Sequence, residues 1–146
     1  MAEGENNADE IFKEQPNFLM SVVALRQFGM DYGSIDVALK FLIACHLALK
    51  KSGVELPTIS HDLQEKAHRR IVGRIRFLEG LPKGMSTIAI NEQIDNDPEP
   101  HLFAAAYTVL AENDLLIPPI GGDNRLMLAV FNIVESIALA LHGEQG

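Results

Sequence analysis

The chain has 146 residues, 47% of them hydrophobic and 22% charged, with a formal net charge of −8 and one cysteine, Cys45. That size suits a single domain burying about 68–70% of its unfolded surface, and the balance excludes wholesale disorder and an internal disulfide framework. The acidic opening MAEGENNADE lacks the basic start and apolar run of a secretory signal. No apolar stretch approaches the ~20 residues of a membrane span. The expectation is a cytoplasmic protein in a reducing compartment, with no membrane partner.

Residues 1–14 are polar and acidic and are expected to form a flexible N-terminus, leaving 15–146 as one helical domain. A first helix is predicted from Pro16, with Phe18, Leu19, Val22, Leu25 and Phe28 at spacings of three or four and Gly29 at its end. Ser34 is the expected N-cap of the second, in which Ile35, Ala38, Leu39, Leu42, Cys45, His46 and Leu49 recur with helical period. Lys50, Lys51 and Gly53 suit its C-terminal end. The third helix opens with HDLQEKAHRR after a cap at Thr58 or Ser60, buries Ala67, Ile71, Val72, Ile75 and Leu78, and stops near Gly80. Gly73 in its middle marks either a close approach or a weak spot.

Ser86 to Ile94 reads as a short helix or an extended segment. In DNDPEP, Asp97 is the expected cap and Pro98 the first helical residue of a helix through Phe103, Ala106, Tyr107 and Leu110. IPPIGG interrupts the chain. The last helix, from a cap at Asp123 to a stop at Gly143, carries Leu126, Val130, Ile133, Val134, Ile137 and Leu141 as one stripe, widened by Met127, Phe131 and Ala138. A helix so apolar is either the central helix or a subunit interface, and the stripe is expected to support a homodimer. The predicted fold class is all-α, five to six helices in a compact single domain, with a small β-wing near 115–131 as a variant.

Four constellations bear on function. His61, Glu65 and His68, at i, i+4 and i+7, share one helix side and are the only metal candidates considered there. Glu65 to His68 has the Glu-x-x-His form of carboxylate-bridged di-iron bundles, without the second motif such bundles need. The dipeptide His61-Asp62 resembles that of HD-type phosphohydrolases, for which His46 and Asp95 are the remaining nominees. A solvated helix edge, with Glu65 paired to Arg69, explains the same residues without chemistry. Asp95, Asp97 and Glu99 alternate like the start of a calcium loop, but Pro100 and Ala106 stand where glycine and glutamate are required. Asp31 and Ser34 resemble the carrier-serine motif of acyl carrier proteins, with two residues intervening, and a cap is the simpler role. Cys45 and His46 are adjacent and diverge by about 100° on a helix, so they do not form a dyad.

The charge distribution is the more distinctive feature. Lys66, Arg69, Arg70, Arg74 and Arg76 are five of the twelve basic residues, whereas 84–124 has no Lys or Arg and carries Glu92, Asp95, Asp97, Glu99, Glu112, Asp114 and Asp123. The basic stripe is the expected binding face for an acidic partner, which includes the acidic stretch of its own chain.

Residues 86–131 resemble a winged helix-turn-helix, with 98–113 as the recognition helix and Arg125 on the wing. The resemblance implies a DNA-binding transcription regulator or a relative that has lost DNA binding. A recognition helix without Lys or Arg disfavours nucleic acid. The leading expectation is therefore a non-enzymatic helical interaction or regulatory module without cofactor. The winged regulator stands second, and a metal-dependent hydrolase or di-metal helical protein using the His61, Glu65 and His68 face stands third.

Overall fold

The computed structural model describes residues 9–79, 85–113 and 125–143, which are mostly helical with no strand among them. The elements run as α1 (9–14), α2 (Pro16–Val23), a 3-10 turn (Ala24–Phe28), α3 (Tyr32–Lys51), α4 (His61–Glu79), α5 (Met85–Asn96), α6 (Pro100–Glu112) and α7 (Arg125–His142). The all-α class is as expected. Residues 9–14, expected to be part of a flexible terminus, are instead helical, because Ile11 is an anchor buried in the core. Residues 1–8 lie outside the described residues.

Pro16 opens α2, and Phe18, Val22 and Leu25 turn inward. Gly29 ends the segment in the left-handed region at φ 85°, where a side chain is disfavoured. Asp31, not Ser34, caps α3. Its Oδ1 accepts the Ser34 N–H at 2.7 Å, and that bond holds the Asp31 carboxyl below its usual value. The cap falls one turn earlier than expected because Asp31 is already extended at ψ 163° and its short side chain reaches the third amide. Ile35, Ala38, Leu42, Cys45 and Leu49 form the buried face of α3. Burial pushes the Cys45 thiol up to about 12, in keeping with packing and not with nucleophilic chemistry.

Between α3 and α4 the chain forms no regular element and is strapped to the α1–α2 junction. The buried Gln15 donates from Nε2 to the Pro57 carbonyl at 2.8 Å, and its Oε1 accepts the Ile59 N–H at 2.8 Å. Asn17 Nδ2 donates to the Ile59 carbonyl at 2.8 Å, and the Thr58 hydroxyl donates to the Glu14 carbonyl at 3.0 Å. Thr58 is thus a strap, and Ser60 is the cap of α4, accepting the Leu63 N–H at 3.1 Å. The straps satisfy backbone groups that burial of Ile59 would otherwise orphan.

Helix α6 begins at Pro100, later than predicted. Asp97 accepts the Glu99 N–H at 2.8 Å in a tight turn that holds Pro98 outside the helix. Helix α7 is central and packs on α2, α3, α4 and α6. The second strand of the expected wing is absent: residues 125–131 are helical, because Leu126, Met127, Val130 and Phe131 bury at helical spacing, not at alternate positions. The first wing strand and the cap at Asp123 lie outside the described residues, as does Gly80. By length and composition α3 and α7 reach what a membrane span requires, contrary to expectation, since a stretch averaged over 18 residues stays apolar despite isolated polar ones. In α7 61% of those residues are buried inside the chain.

Candidate functional site

A polar seam runs through the contact between α4 and α7. Gln64 Nε2 donates to Ser21 Oγ at 3.1 Å, Asn132 Nδ2 donates to the Gln64 carbonyl at 2.8 Å, and Ser136 Oγ donates to Asn132 Oδ1 at 3.1 Å. Nearly two turns along α4, at Arg70, the seam becomes ionic. Glu135, whose side chain is only 4% exposed, forms an ion pair with Arg70 Nε through Oε1 at 2.8 Å and accepts a hydrogen bond from Arg74 NH1 on Oε2 at 2.9 Å. The same Arg74 NH1 lies 3.5 Å from Oδ2 of the fully buried Asp97 side chain. Two guanidinium groups thus offset two carboxylates that would be prohibitively desolvated alone.

Arg74 also lies 5.6 Å from the Phe103 ring centre. Phe103, Tyr107 and Phe131 pack with ring centres 5.1–5.7 Å apart. Burial raises the Tyr107 phenol above its ordinary value, and the nearby Arg74 charge moderates the rise. The basic and acidic stretches of the chain therefore meet at Arg74 and Asp97. Glu135 is the member that sequence reasoning missed.

The expected basic face is divided by this network. Arg70 and Arg74 reach inward. Arg69 pairs with Glu65 at 3.5 Å in an exposed contact worth about 0–1 kcal/mol. Arg76 is exposed, Lys66 half-buried, and Phe77 is 59% exposed. At about 100° per residue, Lys66, Arg69, Gly73, Arg76 and Phe77 fall within an arc of roughly 100°. Nothing approaches within 4 Å of a Cβ built on Gly73, so that glycine serves no close packing.

The α7 stripe is committed to the chain's own core. Leu126, Val130, Ile133, Val134 and Ile137 are buried, and Leu141 packs against them partly exposed. An interface built on this stripe would require the monomer's core to open.

His61, Glu65 and His68 line a cavity of about 440 Å³ with Gln64, Arg125 and Asn132. Their ligand atoms do not converge. Among the described residues the one group of three or more ligand atoms within 4.8 Å comprises Glu10, Glu14 and His46. His46, nominated from the sequence beside Asp95, thus faces different carboxylates. The i, i+4 spacing of Glu10 and Glu14 is the signal the sequence offers, hidden by the polar, acidic composition of residues 1–14.

In comparisons with known proteins, no family model, curated protein or solved structure matches the chain.

Proposed function

We propose that the protein is a non-enzymatic helical interaction module whose outward α4 face receives an acidic amphipathic segment of a partner protein. The observation that carries this reading is Phe77, 59% exposed on the arc that also bears Arg69 and Arg76. An exposed aromatic edged by guanidinium groups is the composition enriched at the centres of protein interfaces. Arg76 makes no ion pair with the described residues, and Arg69 has only a weak exposed one. Charge complementarity selects the occupant: an acidic helix finds its opposite sign here, while the excess of −8 repels it from the rest of the surface. Arg70 and Arg74 contribute by fixing α4 against α7, so the face is presented on a rigid element.

The test is binding of a fluorescent helical peptide with leucine and glutamate on one face. Anisotropy should report affinity that falls with salt and drops about tenfold in Phe77→Ala. Combining Arg69→Glu with Arg76→Glu should abolish it. Equal affinity for the wild type and the charge-reversed variant would overturn the reading. Retardation of a DNA duplex at physiological salt would favour a nucleic-acid partner instead.

A further inference from the structure

We propose that Glu10 and Glu14 of α1 and His46 of α3 form a binding site for a divalent transition-metal ion, with zinc the best match. The imidazole carries the argument. The His46 side chain is only 10% exposed, and its Nε2 has no hydrogen-bond partner. A buried ring nitrogen left unpaired costs free energy that a bound cation would recover. The nitrogen is aimed between two carboxylates, 3.6 Å from Glu10 Oε1 and 3.5 Å from Glu14 Oε2. Both separations exceed the 2.7–3.2 Å of an N–H···O hydrogen bond.

The same separations suit ligands on a shared ion. Metal bonds of about 2.0–2.1 Å in tetrahedral geometry put ligand atoms roughly 3.3–3.4 Å apart. An octahedral ion with bonds of that length would draw them to about 3.0 Å. Imidazole with two carboxylates is also a donor set for zinc and its first-row neighbours, whereas calcium and magnesium take oxygen. Glu10 and Glu14 lie one helical turn apart, so both reach the same point from one side, and His46 reaches it from the other.

Two neighbours complete the site. A cavity of about 460 Å³, lined by Glu14, His46, Lys50, Glu55 and Thr58 among others, opens beside two of the three ligands, Glu14 and His46, and leaves room for a water or a small anion as the fourth. Lys50 pairs with Glu10 through its ammonium group. That ammonium occupies the cation's side of Glu10, and being more than half exposed it can swing to solvent when an ion enters. Zinc and Lys50 therefore compete for Glu10, which gives the proposal a gain-of-affinity prediction as well as losses.

The test uses the full chain freed of metal with a chelator and titrated with zinc chloride by calorimetry. One equivalent should bind at micromolar zinc and raise the melting temperature, since binding is confined to the folded form. His46→Gln and Glu14→Gln should each weaken binding at least about 100-fold, the upper end of the cost of losing an outer-shell partner. Lys50→Ala should strengthen it, and His61→Ala with His68→Ala should leave it unchanged. Cobalt in place of zinc should show the intense visible bands of a four-coordinate ion. Circular dichroism of the metal-free variants establishes that each is folded, and Lys50→Ala keeps the proposal open to refutation if the ligand variants are not. Absence of saturable binding at micromolar zinc, binding indifferent to His46→Gln, or binding lost with His61 and His68 would each overturn the assignment.

Discussion

Glu135 Oε1 forms an ion pair with Arg70 Nε at 2.8 Å, joining the middle of the central helix to the flank of α4. With Arg74 on the other oxygen, the carboxylate fixes both the rotation of α4 and its register along α7. Glu135→Ala should lower stability by about 2–4 kcal/mol, because it leaves two guanidinium groups without their buried partner. The lower end is expected, since both arginines are partly exposed and can turn to water. Urea denaturation measures the loss. A change below about 0.5 kcal/mol, the usual range for surface substitutions, would remove the network's structural role.

That network explains why the sequence is only partly readable. The periods of α3 and α7 and the close of α2 at Gly29 follow from apolar spacing and left-handed geometry, both local properties. The destination of Arg70 and Arg74 is not local. Five basic residues in eleven positions resemble one solvated face, and nothing within α4 distinguishes the two that meet a carboxylate about sixty residues later. Asp97 was obscured because its turn chemistry sufficed to explain it. Ile59 carries no periodic signal, since it sits in a strap outside any helix. The run 125–131 after two glycines also admits a wing strand, and burial at helical spacing decides for the start of α7 that the apolar period predicts.

Gln15 should prove as important as a core apolar residue. Gln15→Ala removes the acceptor of the buried Ile59 N–H and the donor to Pro57. A loss of about 2–3 kcal/mol is expected from an orphaned amide plus a second lost bond. Hydrogen exchange at the Ile59 amide should accelerate more than at α7 amides. Unchanged protection there would mean that the strap is held by Asn17 and Thr58 alone.

Gly73 offers the opposite sign. It lies in a helix interior, and an added Cβ would meet nothing within 4 Å. Gly73→Ala should stabilise by up to about 1 kcal/mol and raise the melting temperature by roughly 2–5 °C. A lower melting temperature would show that the glycine has a packing role.

Tyr107 gives a signature in alkali. Its raised phenol means that the folded chain holds the proton where the unfolded chain releases it. This contribution to stability is therefore fully present below the unfolded value near 10.0 and is lost as pH rises through the folded value. Of the two tyrosines, Tyr107 should titrate later in the phenolate absorbance than a free tyrosine does. Arg74→Met should delay it further, since the Arg74 charge opposes the shift. An earlier titration in that variant would contradict the placement of Arg74 beside the ring.

The outward face of α4 is tested most directly by amide chemical-shift mapping of the labelled chain during titration with the acidic amphipathic peptide. Shifts should concentrate at Arg69, Gly73, Arg76 and Phe77, saturate together, and vanish in the Arg69→Glu, Arg76→Glu variant. Saturable shifts elsewhere on the surface, or none on α4 while the peptide binds, would contradict the account.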